Sequence, residues 1–311
     1  MPKLLREKLD VGGLERSFVA VVPDGPVNSA LFFFHGSLQS GNVARRFTGG
    51  TFDTFAESGT LVVYPNGVHN HFNDYRAALP EKTRELGVDD VAFTETLVAT
   101  LRERFGFADV YACGFSNGGH MVMRLLFDAP RLLSGAAIFS ATLATEDNIA
   151  LDNPLSAYHP TPLLFMHGDA DRIAPIDGGQ AALSVAKSRG SVRSAVETCQ
   201  WFADVHRNRT FGSVQPGQSG CLPGQAGQMP NPTTETDSEA ARLTRSKPYQ
   251  DVTVTSWSCA PSVELWTVHG VGHVIPSGKD VDPRLGASTN SFLAADVVRT
   301  FFAAQPSAGH A

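Results

Sequence analysis

Gly114-Phe115-Ser116-Asn117-Gly118 spells Gly-x-Ser-x-Gly, and its surroundings give it weight. The apolar run Ala108–Phe115 precedes it and the helical pattern Asn117–Phe127 follows directly. A serine so placed rides a sharp strand-to-helix turn that lifts its hydroxyl above the strand end, and the glycines leave room that a side chain would fill. Serine is a poor nucleophile without a base, and the base needs an orienting carboxylate. Two later segments supply both. After the apolar run Pro162–Met166 comes His167-Gly168-Asp169-Ala170-Asp171, and after Val263–Val268 comes His269-Gly270-Val271-Gly272-His273. Each offers two candidates: Asp169 or Asp171, His269 or His273. His269 sits at the strand end, whereas His273 lies in a Gly-flanked loop able to reach over the sheet edge. A tetrahedral intermediate also needs two preorganised N–H donors. Asn117, after the nucleophile, would supply one. Ser37, in His35-Gly36-Ser37 behind the apolar run Ala30–Phe34, would supply the other.

These residues need a scaffold that brings distant strand ends together. Ala30–Phe34, Thr60–Tyr64, Ala108–Phe115, Gly135–Phe139, Pro162–Met166 and Val263–Val268 are short, nearly solid apolar runs, the pattern of strands covered on both faces. Arg16–Val22 alternates and reads as an early strand. Helical spacing appears between them: Val91, Val98, Leu101 and Phe105 behind the capping acids Asp89 and Asp90, then Ala195, Cys199, Phe202 and His206, and finally Ser291–Phe302. Alternating strands and helices predict an α/β fold with a mostly parallel central sheet and helices on both faces. Catalytic loops then belong at the carboxyl ends of the strands. From Ser213 to Pro232, 12 of 20 residues are Gly, Pro or Gln. The pattern predicts an irregular insertion near 213–247 within a single domain, residues 1–311, because strand character resumes at Asp251–Trp257.

The 311 residues carry 25 Lys plus Arg against 31 acids, a net charge of −6, which argues against a nucleic-acid partner. No apolar run approaches the ~20 residues of a membrane span. No apolar stretch follows the basic N-terminus, so no signal peptide is expected, and the chain reads as cytoplasmic unless a leader has been removed. His69-Asn70-His71 has two histidines but no clear further ligands, so no metal is expected. His120, one turn into the helix after Ser116, suits packing under the turn at least as well as lining the cleft. Neither a dinucleotide fingerprint nor a P-loop occurs, so no cofactor is implied.

The segments FFFHGSLQSG, VVYPNG, FNDYRA, VDDVAF, CGFSNGGHM, HGDADRIAPIDGG and VHGVGHVIP, spread from about residue 30 to 280, resemble the polyhydroxybutyrate depolymerase and feruloyl esterase group of the α/β-hydrolases. The resemblance implies an α/β-hydrolase fold without a large cap and a serine carboxylic-ester hydrolase. Ser116 would be the nucleophile, Asp171 the carboxylate and His273 the base, with Ser37 and Asn117 forming the oxyanion hole. The substrate would be a small or oligomeric ester of a hydroxyalkanoate or aromatic acid. A serine peptidase of prolyl-oligopeptidase type shares the triad order, and an acyltransferase or tailoring enzyme shares the fold. Phe72 and Ile275 stand where the group carries tryptophans bordering the site, which implies substrate-binding positions and a differently shaped acyl pocket. Relatives often pair a cysteine near Cys259 with one after the preceding helix. Here His206-Arg207-Asn208-Arg209 occupies that position, and Cys221 is the nearest substitute, while Cys113 and Cys199 are expected to be packed.

Overall fold

The computed structural model describes residues 2–182, 188–211, 242–246 and 249–305. The strands are β1 (Lys3–Val11), β2 (Leu14–Val22), β3 (Ser29–Phe34), β4 (Thr60–Pro65), β5 (Asp109–Phe115), β6 (Gly135–Phe139), β7 (Leu163–Gly168), β8 (Gly179–Ala182), β9 (Ser188–Val192), β10 (Arg242–Ser246), β11 (Val252–Trp257) and β12 (Val263–Val268). The helices are α1 (Gly41–Phe47), α2 (Lys82–Glu85), α3 (Asp90–Phe105), α4 (Asn117–Asp128), α5 (Ala195–Phe211) and α6 (Ala294–Ala303), with a 3₁₀ segment at Thr51–Ser58.

Among the described residues, ten strands form one sheet in the order β1-β2-β4-β3-β5-β6-β7-β12-β11-β10. The middle six, from β4 to β12, run parallel, and antiparallel pairs finish both edges. β3 through β7 are buried on both faces, as their solid apolar runs demand. One apolar layer gathers Leu97, Leu101, Met121, Leu125 and Phe202 from α3, α4 and α5. The other gathers Ala44, Phe52, Phe55, Val298 and Phe302 from α1, the 3₁₀ segment and α6. The crossing order brings the ends of β3, β5, β7 and β12 to one rim.

Several elements were not expected. β1 precedes the anticipated early strand and pairs with it across the two-residue turn Gly12-Gly13, both at positive φ (60° and 83°). β8 and β9 form a separate hairpin seated on the 143–149 loop. There Ala144 bridges Val192, Arg193 N–H donates to Leu143 O (2.7 Å) and Asn148 Nδ2 donates to Arg189 O (2.9 Å). β10 falls inside the stretch 213–247 anticipated as irregular. The last helix starts at Ala294 rather than at Ser291. Of the two acids expected to cap α3, Asp89 is the cap, accepting from Ala92 N–H (2.8 Å). Asp90 instead turns inward to Arg16 and Asn73 N–H. Cys113 and Cys199 are buried thiols whose pKa burial pushes well up. The Cys221–Cys259 expectation falls on Cys221, which lies outside the described residues.

Candidate active site

β5 ends at Phe115 and α4 begins at Asn117, so Ser116 makes the whole turn between them. It does so at φ 54°, ψ −116°, outside the regions an L-residue favours, at a cost of order 1–3 kcal/mol. Close packing enforces the turn. A Cβ on Gly114 would lie 2.3 Å from Gly118 O, and one on Gly118 would lie 2.1 Å from Phe34 O. The strand, helix and neighbouring β3 therefore meet backbone to backbone. Asn117 N–H opens α4, where helix geometry offers no intrahelical acceptor.

The loops after β7 and β12 interlock beside this turn. Ala170 N–H donates to Val271 O (3.0 Å), and a Cβ on Gly168 would sit 2.1 Å from that same oxygen. The four Asp and His candidates sort into two pairs. His269 Nδ1 lies 2.8 Å from Asp169 Oδ2, with Thr253 Oγ1 2.8 Å from its other nitrogen. That pair is open to solvent, the side chains being 47% and 36% exposed. His273 Nδ1 lies 2.7 Å from Asp171 Oδ2, and this pair is buried, at 5% and 0%. Asp171 Oδ1 also accepts Ile173 N–H (2.8 Å) and Ala174 N–H (2.9 Å). Burial alone would raise the Asp171 carboxyl, but the His273 hydrogen bond and the other donors hold it below the usual carboxylate range.

Phe115 is the meeting point. Its ring lies 4.9 Å from the His273 ring, and a Cβ on Gly36 would press to 2.8 Å from it. The residue before Ser116 thus touches both the loop of His273 and the loop of Ser37. In that second loop, His35 Nε2 accepts Gly67 N–H (2.9 Å). Its Nδ1–H therefore donates to Gly36 O (2.8 Å), which fixes the tautomer. Burial pushes the His35 imidazole down to about 4, so the ring is neutral at pH 7.

Phe72 and Ile275 are fully buried, on opposite faces of the sheet. The Phe72 ring lies tilted 4.5 Å from the His35 ring and meets the Phe34 ring edge-on at 5.3 Å. His71 turns inward, its Nε2 3.3 Å from Glu81, and among the described residues no cluster of three or more metal-ligating side chains occurs. His120 packs under the turn with its ring 5.9 Å from Tyr75, and burial holds it neutral, well below the ordinary histidine value.

Sequence reasoning passed over two features. His167 Nε2 donates to Ala174 O (2.7 Å) and lies 3.6 Å from Asp171 Oδ2, bracing the carboxylate loop. The Asn117 side chain is spent on the segment around Phe72 and Asp74. The adjacency of FNDYRA and GFSNGG was not readable from positions 43 residues apart.

Residues 16–206 match the family described as phospholipase/carboxylesterase. The chain is 29% identical over 234 residues to the putative esterase NocK of Nocardia uniformis subsp. tsuyamanensis, covering 71% of this chain and 58% of that protein. It is 34% identical over 82 residues to carboxylesterase SOBER1 of Arabidopsis thaliana, covering 26% of this chain and 36% of that protein. The matches thus span between about a third and three-fifths of those relatives' lengths. Acetyl xylan esterase from Aspergillus awamori superposes with a TM-score of 0.58 at 15% identity, covering 96% of this chain and 99% of that one, a likeness of fold.

Proposed function

Because the chain belongs to the phospholipase/carboxylesterase family, we propose that it hydrolyses carboxylic esters with Ser116 as nucleophile. The observation that carries the reading is the buried Asp171–His273 pair lodged against Phe115, the residue before Ser116. His273 Nδ1–H is held by Asp171, which leaves Nε2 as the base. Nε2 takes the Ser116 proton as Oγ attacks the ester carbonyl. The N–H groups of Ser37 and Asn117 receive the oxyanion. The alcohol leaves with the proton from His273, and the acyl-enzyme remains on Ser116. Water then attacks, giving its proton to His273, which returns it to Ser116 Oγ as the acyl–oxygen bond breaks and the acid departs. Asp171 stays ionised throughout, consistent with its lowered pKa.

The quoted motifs favour the polyhydroxybutyrate depolymerase and feruloyl esterase group, and with it esters of small or oligomeric hydroxyalkanoates or of aromatic acids. Phe72 packs against His35 in the loop of Ser37, and Ile275 follows His273 by two positions; both are fully buried, so each would act on the acyl site through those loops rather than by touching substrate.

Ser116→Ala is expected to lower kcat on a p-nitrophenyl ester by about 10³-fold or more. A fluorophosphonate is expected to label Ser116, as read by peptide mass. Label on another residue, or full activity in the variant, refutes the assignment. A panel of esters varied in acyl length and aromaticity then ranks the substrate classes, and a higher kcat/KM on the matching amide refutes the esterase reading.

A further inference from the structure

The segment after β4 touches both sides of the site. Toward β3, Gly67 N–H donates to His35 Nε2 (2.9 Å) and Leu38 N–H donates to Asn70 O (3.0 Å). These bonds bracket Ser37. Toward α4, the same segment takes the whole Asn117 amide. Oδ1 accepts Phe72 N–H (2.8 Å), while Nδ2 donates to Phe72 O (3.0 Å) and to Asp74 Oδ2 (2.7 Å). Asp74 is itself gripped by Arg76, through N–H (2.9 Å), Nε (3.1 Å) and Nη2 (2.6 Å). The pair is sealed in the interior, Asp74 at 0% and Arg76 at 2% exposure. Arg84 closes the far side by donating to Arg76 O (2.8 Å) and to Asp74 O.

This construction addresses a specific mechanical problem. The direction of Asn117 N–H depends on the peptide between it and Ser116, and Ser116 sits in a strained conformation. A small relaxation there would swing the N–H away from the developing oxyanion. Fixing the next side chain by three hydrogen bonds, one to a charged acceptor, resists that swing. The charged acceptor is in turn fixed by a bidentate guanidinium, the geometry best suited to hold a carboxylate in one orientation.

We propose that the buried Asp74–Arg76 pair, acting through the Asn117 side chain, positions the oxyanion hole, an inference that rests on Asn117 N–H being one of its donors. Asp74 and Arg76 are positioning residues and touch no reacting atom. Their segment also braces the Ser37 side through Gly67 and Asn70, so both donors are referred to one rigid strap.

The test uses the full chain and two probes: a fluorophosphonate, whose P=O oxygen occupies the hole as Ser116 attacks, and p-nitrophenyl acetate. Asp74→Asn and Asn117→Ala are each expected to lower the maximal labelling rate and kcat by about 10- to 100-fold, below or near the loss of a whole oxyanion donor. KM and the reversible affinity for the phosphonate stay within about threefold. Asp74→Asn leaves Arg76 without its partner, so Asp74→Asn/Arg76→Gln is measured beside it, with thermal melts to establish folding. Unchanged kcat and labelling in the folded variants overturn the proposal, as does a loss carried by KM alone. A wild-type chain that is not labelled at Ser116 overturns the esterase reading and this inference together. A labelled wild type with indifferent variants overturns only the inference.

Discussion

Acid should destabilise this protein well above the pH at which its carboxylates protonate, and His35 supplies a measurable share of that sensitivity. Gly67 N–H points at His35 Nε2, so protonation would set one donor against another. Burial accordingly lowers the imidazole from 6.5 to about 4. His206 has the same value for the same first cause, buried with its Nδ1 bonded to Pro261 O. The folded state resists a proton that the unfolded chain accepts below pH 6.5. Stability from each ring is therefore complete above 6.5 and lost as pH falls toward about 4. At ~1.4 kcal/mol per tenfold change, the full span is worth about 3 kcal/mol per histidine, of which about 2 is gone by pH 5. Two such rings remove about 4 kcal/mol by pH 5, a large fraction of a total of roughly 5–15. The measurement is urea unfolding between pH 8 and 4.5, followed by fluorescence of the buried Trp201, Trp257 and Trp266. His35→Gln retains a neutral hydrogen-bonding side chain but does not titrate. Its stability should fall less steeply than wild type near pH 5, by about one proton or ~1.4 kcal/mol per pH unit. Parallel stability–pH lines for the two proteins from pH 7 to 5 would refute the reasoning.

Two further substitutions probe the site's frame. Asp169→Asn weakens the solvent-exposed hydrogen-bonded pair with His269, so stability should change by less than about 1 kcal/mol and kcat/KM by less than about threefold; a tenfold loss would show that the outer pair takes part in the chemistry. Gly118→Ala places a methyl where Phe34 O already lies, 2.1 Å from the new carbon, and backbone must move. It should cost at least 1–3 kcal/mol in urea melts and reduce kcat/KM, and a wild-type melt with full activity would contradict the close approach.

What the sequence made legible follows from what each signal physically is. The six parallel strands stand out because burial on two faces requires an unbroken apolar run, as in Leu31-Phe32-Phe33-Phe34. β1 is harder: Leu5, Leu9 and Val11 are only partly buried against one apolar layer and Leu4 against the other, and charged residues interrupt the pattern. The Gly12-Gly13 pair was nonetheless a readable hairpin turn, since two successive positive φ angles favour glycine. β8 and β9 are small and polar, and their pairing depends on Ala144 and Asn148 some 40 residues away, which no local pattern encodes. In the site, spacing left two aspartates and two histidines open. The structure pairs Asp169 with His269 and Asp171 with His273, and burial, which spacing does not report, distinguishes them. The Asn117 side chain bonds were invisible for the same reason: they depend on the loop after β4 folding back over the end of β5.

Ser116 is not the only residue at this rim with a positive φ. Ser140, directly after β6, sits at φ 50°. Both remain stitched to their neighbours, Ser116 N–H to Phe139 O (2.9 Å) and Ser140 N–H to Met166 O (3.0 Å). Strain is thus stored at the carboxyl ends of two adjacent strands, β5 and β6, at the centre of a ten-stranded sheet whose central amides are shielded by paired strands on either side. Hydrogen exchange from such central amides needs opening of the largest cooperative unit, whereas edge hairpins can fray alone. The shape of the turn at Ser116 therefore persists through breathing of β1 or β10 and is surrendered only when the sheet itself comes apart.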